Sequence, residues 1–226
     1  MNTDNKFTIT ELLFLLLLLS LPCIYMAYLY PHLPDIVPVH FDAAGTPNGY
    51  GSKSFLCLIV AGMGLLSLGI YLLIRYLPAI DPKRTARLSR QIFQKIGIAV
   101  VTLIAAINVI ILYSAAAGRS PDVNHLLYPL LGLFFVYLGN LMYSIKPNYF
   151  VGIRTPWTLE NEDNWRATHR LGSKVFFAGG ICITIGALLT SSRTANIILA
   201  IITAIMVFIP VIYSFLYFKK HAQKIH

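Results

Sequence analysis

Six long apolar segments are the feature that most limits the folds open to this chain of 226 residues. An α-helix needs about 20 apolar residues to cross a bilayer core of about 30 Å. Five of the six segments reach that length. The fifth in chain order has a strict apolar core of 15 residues, which becomes a full span if it extends back to Leu171, and its Gly179, Gly180 and Gly186 would permit close helix contact. The segments are Ile9–Tyr28, Phe55–Leu77, Ile96–Ala116, Leu126–Ile145, Val175–Leu189 and Ile197–Phe218. The sequence therefore predicts an all-α, polytopic bundle of six transmembrane helices.

Composition supports a membrane environment. Hydrophobic residues make up 57% of the chain and charged residues 12%, whereas soluble domains carry about 25% charged residues. The net charge of +9 could suggest a nucleic-acid partner. No basic stripe with interleaved aromatic residues occurs, so we expect no nucleic acid, and membrane lipids are the expected surroundings.

The distribution of Lys and Arg predicts the orientation of the spans. The two tails, the second loop and the fourth loop, with their flanks, hold 15 of the 18 basic residues. The alternate connections hold only Lys53, Arg119 and Arg193. Because cytoplasmic loops are enriched in Lys and Arg, we expect both termini in the cytoplasm. This count also supports the fifth span, since its loss would move the C-terminal lysines to the other side.

The sequence predicts few ionisable side chains within the spans. We expect all nine acidic residues to lie outside the apolar cores, and no His, Lys or Arg falls near a midplane. Ion-coupled transporters usually need such a group there. Asn108 and Asn140 are the notable polar residues within spans, and we expect them to form interhelical hydrogen bonds. No metalloprotease, nucleophile-elbow or phosphate-loop motif occurs, so we predict neither enzymatic activity nor a cofactor.

The loop at residues 31–53 is predicted to face the outside as a compact, structured cap. Ile36–Phe41 is rich in β-forming residues, and the Asn48-Gly49 pair favours a tight turn. Asp42 is expected to bind backbone amides across a turn. His32, Asp35, His40 and Asp42 have irregular spacing, so we predict no metal site. The cap is a candidate either for extracellular recognition or for a structural lid, and its candidate residues are His40, Phe41, Asp42, Gly45, Gly49, Tyr50 and Gly51.

The loop at residues 146–174 is predicted to face the cytoplasm and holds both tryptophans. Acidic residues followed by basic ones favour a short helix over Asn161–Leu171 at the membrane interface. Trp165 on that helix is expected at headgroup depth. Thr155 followed by Pro156 is a possible helix start, with Thr155 as the cap and Pro156 at the first helical position. A Thr-Pro bend between an arginine and an indole is typical of a shaped pocket. The candidate residues of this loop are Arg154, Thr155, Pro156, Trp157, Thr158, Trp165, His169 and Arg170.

Two sequence patterns resemble known families. The inner pattern comprises Ile153–Leu159, followed by Asn161, Glu162, Trp165 and Arg170. It resembles the signature of the SdpI family of bacterial immunity proteins. The outer pattern, Pro38–Phe41 and Gly45–Lys53, resembles a domain of unknown function often found N-terminal to that family. The resemblance implies an N-terminal module at 1–90 with two spans and a C-terminal module at 91–226 with four.

The resemblance also implies a function. Members protect a cell from a membrane-active peptide toxin, and some hold a transcriptional repressor at the membrane. It further implies functional roles for Arg154–Leu159, Trp165 and Arg170. One alternative is a transporter or flippase of an amphiphilic peptide or lipid, with a cavity near Asn108 and Asn140. Another is a membrane enzyme acting on an anionic substrate through a cationic cluster in the inner loop.

Overall fold

The computed structural model describes residues 7–42, 46–80, 90–118 and 123–222. Six of the described helices are long and apolar enough to cross a membrane, which confirms a polytopic helical membrane protein. The other elements of the described residues are a two-stranded sheet, one short helix and one 3₁₀ turn. The elements are α1 (Ile9–Leu29), a 3₁₀ turn (Tyr30–His32), β1 (Ile36–Phe41), β2 (Pro47–Ser52), α2 (Lys53–Ile80), α3 (Arg90–Ala117), α4 (Val123–Met142), α5 (Pro156–Glu160), α6 (Glu162–Leu189) and α7 (Ser192–Ala222).

The fifth span is one continuous helix of 28 residues, α6. The prediction of a fifth span is confirmed, but the separate interfacial helix over Asn161–Leu171 is wrong. Asn161 caps α6 by accepting a 2.8 Å hydrogen bond from the backbone N–H of Asn164. Nothing after this cap interrupts the helix, because the basic stretch and the glycines that follow all adopt helical geometry. The fourth span ends at Met142, three residues before the predicted end.

Glycines in α6 allow close helix packing, as the sequence predicted. A Cβ atom at Gly180 would lie 2.7 Å from the backbone nitrogen of Val136 in α4. A Cβ atom at Gly179 would lie 2.6 Å from the sulfur of Met206 in α7. Thr184 donates its hydroxyl to the carbonyl of Gly180 at 2.9 Å. Both neighbouring helices therefore approach α6 at positions where only a hydrogen atom fits, as in small-residue membrane packing.

The segment between α1 and α2 forms an antiparallel hairpin of β1 and β2. The predicted Asn48-Gly49 turn is wrong, because both residues lie inside β2, where Gly49 pairs with His40. The described ends of the strands instead meet at Asp42 and Thr46. As predicted, Asp42 accepts a hydrogen bond from a backbone amide, that of Thr46, at 2.8 Å. The Thr46 carbonyl accepts from the Asp42 N–H at 2.9 Å, so the strands close here. Gly45 lies outside the described residues.

Three acidic residues lie in the first turns of the described span helices, namely Glu11 in α1 and Glu162 and Asp163 in α6. Glu11 is in the first turn of α1, forms a capping box with Thr8 and is buried. The hydroxyl of Tyr71 in α2 donates to its carboxylate. Asn108 forms the expected interhelical bond, donating to the carbonyl of Val60 at 3.5 Å, whereas the Asn140 side chain is exposed.

The chain folds as two compact units. One comprises Met1–Leu73 and Gly97–Val123, and the other comprises Ile74–Ile96 and Asn124–His226. The first unit contains the hairpin, and Val37 of β1 packs into its apolar core with Leu56. The second unit contains the loop after α4, α5, α6 and α7. Each unit therefore carries one of the two loops singled out by sequence. The predicted division at residue 90 stays a prediction.

Candidate functional site

Asn148 gives the loop after α4 a fixed shape. Its side chain is 1% exposed. Its Oδ1 accepts hydrogen bonds from the N–H groups of Phe150 at 2.8 Å and Val151 at 2.7 Å. Its Nδ2 donates to the carbonyls of Lys146 and Val151, both at 2.9 Å. The sequence analysis missed Asn148, although a Pro-Asn pair after a predicted span is a signal for an Asx turn.

Gly152 and His169 lock the loop onto α6. Gly152 has φ of 116°, and a Cβ atom there would run into the His169 ring. The ring Nε2 accepts from the Ile153 N–H at 3.1 Å, while Nδ1 lies 2.9 Å from the Trp165 carbonyl. A backbone N–H can only donate and a carbonyl can only accept. These partners therefore assign His169 as the neutral tautomer with its proton on Nδ1.

The Trp165 side chain is buried and bonded inside the protein, unlike that of an interfacial anchor. Its side chain is 1% exposed and stacks on His169 with ring centroids 4.0 Å apart. Its indole N–H donates to the carbonyl of Ile145 at 2.8 Å, in the turn that follows α4. The predicted position among lipid headgroups is therefore wrong, because the indole donor is used inside the protein. Trp165 and His169 position the loop and present little surface.

The Thr-Pro-Trp-Thr motif forms the short helix α5 and its cap. The hydroxyl of Thr155 accepts from the Thr158 N–H at 3.3 Å, and the Thr155 N–H donates to the Thr158 hydroxyl at 2.9 Å. Pro156 takes the first helical position, where a missing N–H costs nothing. The Thr158 hydroxyl also reaches the Ile153 carbonyl at 3.0 Å. Both threonines are buried, so the motif is a rigid corner.

Ser214 of α7 joins this corner to the helices. Its hydroxyl accepts from the Trp157 indole N–H at 2.6 Å, and its carbonyl accepts from the Asn164 side chain at 3.0 Å. The Asn164 amide oxygen in turn accepts from the Thr168 hydroxyl at 3.0 Å. Sequence analysis missed Ser214, although a serine inside the apolar last span was a usable signal. The Trp157 ring packs on Phe215, with centroids 5.3 Å apart.

The predicted inner residues thus divide into a buried frame and an exposed set. Arg154 is exposed, and its guanidinium donates to the Tyr149 carbonyl. Arg170 is also exposed and lies over the Tyr143 ring, 5.7 Å from the centroid. Pro156 is exposed between them in sequence. These side chains are the ones that a soluble partner could reach.

A cleft of about 1030 Å³ opens beside this frame. Trp165, His169 and Arg170 of the predicted set contribute to its wall, whereas Arg154 and the α5 residues do not. Its other prominent wall residues, several of them missed by the sequence analysis, are Tyr143, Lys146, Lys174, Tyr213 and Tyr217.

The hairpin offers a second, smaller set of exposed side chains. His40, Asp42 and Tyr50 are exposed, whereas Phe41, Gly49 and Gly51 are half-buried. The His40 Nδ1 lies 2.5 Å from the Asn48 amide oxygen. No group of three or more His, Cys, Asp or Glu side chains comes together among the residues that the structure describes.

The Asp35–Lys53 ion pair, 3.0 Å long, closes the base of the hairpin. The Lys53 ammonium also lies over the Tyr30 ring, 5.3 Å from the centroid. The hairpin is therefore tied at both ends, by this pair and by the turn at Asp42.

Comparisons with known proteins give matches in the two regions that contain the inner loop and the hairpin. Residues 144–214, from the inner loop to Ser214, match the SdpI/YfhL protein family. Residues 17–65, which include the hairpin, match a domain of unknown function, DUF1648. Over 193 residues the chain is 26% identical to a Bacillus subtilis (strain 168) protein named immunity protein SdpI, covering 85% of this chain and 88% of that protein. No solved structure matches the chain.

The order of the two matched regions and the span of the similarity agree with the resemblance seen in the sequence motifs. The chain is therefore similar to the SdpI/YfhL protein family over residues 144–214 and to DUF1648 over residues 17–65, in the order that the sequence motifs indicated.

Proposed function

We propose that this protein is a membrane immunity protein that protects its cell, or neighbouring cells, from a membrane-active peptide toxin. One observation carries the proposal: the similarity to a protein named immunity protein SdpI extends over 85% of the chain. A match of that length includes the hairpin and the inner loop together with most of the spans. We further propose that the protein acts by binding and not by catalysis.

We propose that the hairpin faces the outside and meets the toxin. The excess of Lys and Arg in the tails and in the second and fourth loops supports this orientation. The hairpin has a fixed shape, closed by Asp42–Thr46 and by Lys53–Asp35, and exposes a large aromatic side chain, Tyr50. A rigid surface with an exposed tyrosine suits peptide recognition, because little conformational entropy is lost on binding.

We propose that the inner loop is the cytoplasmic output of the protein and that a repressor is held there. The exposed guanidinium groups of Arg154 and Arg170 suit a partner with carboxylate side chains. Both arginines sit on the buried frame built by Asn148, Trp165 and Ser214, which holds them in a constant arrangement. The two matched regions lie on either side of residue 90, which supports modules at 1–90 and 91–226.

Protection is tested by expressing the chain in a toxin-sensitive bacterium. The cells are challenged with a panel of membrane-active bacterial peptide toxins while a potential-sensitive dye reports the membrane potential. We expect the potential to persist in expressing cells and to collapse in cells with an empty vector. Collapse under every toxin of the panel, with the protein correctly inserted, would refute the proposed function.

Matched variants test the role of the hairpin and the role of the inner loop separately. Tyr50→Ala should reduce protection, whereas Tyr76→Ala, which removes an exposed tyrosine from a helix, should leave it unchanged. With a reporter gene placed under control of the repressor, the wild-type protein should relieve repression. Arg154→Ala should abolish this relief, and Arg154→Lys should retain part of it. Because Arg154 is exposed, these changes should leave the amount of inserted protein unaltered, as measured by immunoblotting of membranes.

A further inference from the structure

The wall of the cleft beside the inner loop carries more positive than negative side chains. Glu162 is neutralised by Arg166, with 2.7 Å between oxygen and nitrogen. Three further cations remain in the wall, together with one further carboxylate, that of Asp163. The cations are Lys146, Arg170 and Lys174.

These cations have little to bind within the protein. All three are exposed, and the ammonium groups of Lys146 and Lys174 form no ion pair with any other residue that the structure describes. The Arg170 guanidinium contacts the Tyr143 hydroxyl at 3.4 Å, a long hydrogen bond. The charges are therefore free to bind an anion.

Hydrogen-bond donors suited to phosphate line the same cleft. The side chains of Tyr143, Tyr213 and Tyr217 contribute to its wall. Tyrosine hydroxyls donate to phosphate oxygens, and their rings prefer the level of the lipid headgroups. The cleft thus combines cations with hydroxyl donors, as an anionic headgroup requires.

The surface next to the cleft identifies the ligand as a lipid. Arg170 and Lys174 are followed on the same face of α6 by Phe177 and Ile181, at helical spacing. Both apolar side chains are exposed, as are Ile185 and Leu188 further along. In a membrane-spanning helix this stripe contacts acyl chains. A headgroup in the cleft would therefore have its tails along the stripe, a geometry that a free phosphate ion cannot use.

We propose that the cleft binds an anionic phospholipid, with its phosphate between Lys146, Arg170 and Lys174 and its acyl chains against α6. The lipid site shares Arg170 with the proposed repressor surface, whereas Lys146 and Lys174 belong to the lipid site alone. It places a bound lipid against Trp165 and His169, which form the inner wall of the cleft. Lipid binding therefore stabilises the frame that carries the inner loop.

The test uses the full-length protein purified in a mild detergent. Its Tm is measured with added phosphatidylglycerol, phosphatidylcholine, glycerol phosphate, inorganic phosphate or an acidic peptide, and native mass spectrometry counts the bound lipids. We expect phosphatidylglycerol to raise the Tm by several degrees and to remain bound. Phosphatidylcholine and the two soluble phosphates should give little shift.

Lys146→Gln/Lys174→Gln should lose most of the shift, whereas Lys146→Arg/Lys174→Arg should keep it. Arg193→Gln, a loss of charge outside the cleft, serves as the matched control and should respond as the wild type does. An equal phosphatidylglycerol shift in the glutamine variant would overturn the proposal. An equal shift with glycerol phosphate would identify a soluble-anion site, and a shift produced only by acidic peptides would identify a protein partner; either result overturns it too. If the glutamine variant does not fold, the lipid count on the wild type and on the arginine variant still decides.

Discussion

The indole N–H of Trp157 donates to the hydroxyl of Ser214 across 57 residues of sequence, at 2.6 Å. This bond joins the first turn of α5 to the last third of α7. Its partners are a residue inside the loop motif and a serine in an otherwise apolar stretch of the final span. The motif is therefore held by a helix for which the sequence predicted only a membrane span.

Removing either partner of this bond should destabilise the second unit. Ser214→Ala leaves the Trp157 N–H without its acceptor, which costs about 1–3 kcal/mol for a buried donor. Trp157→Phe keeps an aromatic ring against Phe215 and should cost less. A double-mutant cycle measured by thermal unfolding should show coupling, because the two residues interact directly. Strict additivity of the two changes would contradict the bond.

Gly152→Ala should be among the most damaging single-methyl changes in the chain. The backbone there has φ of 116°, which costs a non-glycine residue about 1–3 kcal/mol, and the added Cβ would meet His169. Gly64→Ala in α2 is the matched control, because nothing lies within 4 Å of its Cβ position. In a helix interior that change should be neutral or stabilising by up to about 1 kcal/mol. The two Tm values are compared directly, and equal Tm values would refute the proposed packing.

Asn148→Ala should release the loop after α4. Four hydrogen bonds from one buried amide are lost, and the freed backbone groups must find water instead. Limited proteolysis should cut the variant between Lys146 and Val151 under conditions that leave the wild type intact. Asn140→Ala, at an exposed position of α4, is the control and should remain uncut. Resistance of both variants would show that Asn148 does not organise the loop.

The proposed orientation predicts the accessibility of single cysteines. In a background with the native cysteines replaced by serine, Tyr50→Cys should react with a membrane-impermeant maleimide in intact cells. Glu160→Cys, at an exposed position of α5, should react only after the membrane is permeabilised. The reverse pattern would invert the topology that the distribution of Lys and Arg predicts.

The sequence was sufficient where the signal is local. Hydropathy identified six spans, and the continuity of α6 confirmed the doubtful fifth one. The contribution of Gly179 and Gly180 to helix packing was also predicted, since small residues in a span have few other uses. Predictions from local patterns failed where a distant residue sets the structure. The Asn48-Gly49 pair, predicted as a turn, lies in β2 because Gly49 pairs with His40 of β1.

The inner loop shows the same division. The Thr155 cap and the Pro156 start follow from adjacent residues, and both were predicted. Trp165 could only be expected at an interface, as tryptophans in such loops usually are. Its burial depends on the Ile145 carbonyl and on the His169 ring, which come together only after α4 and α6 pack.

The sequence by itself thus determined that the protein lies in a lipid membrane, how many helices span it and where the loop motifs lie. It could do so because hydropathy and capping depend on neighbouring residues. Tertiary structure decided which motif residues are frame and which are surface. Asn148, Trp165 and Ser214 became internal supports through partners beyond their own segments, leaving Arg154 and Arg170 exposed. The physical reason is that burial and hydrogen-bond satisfaction depend on which helices meet, and no local pattern of residues encodes that.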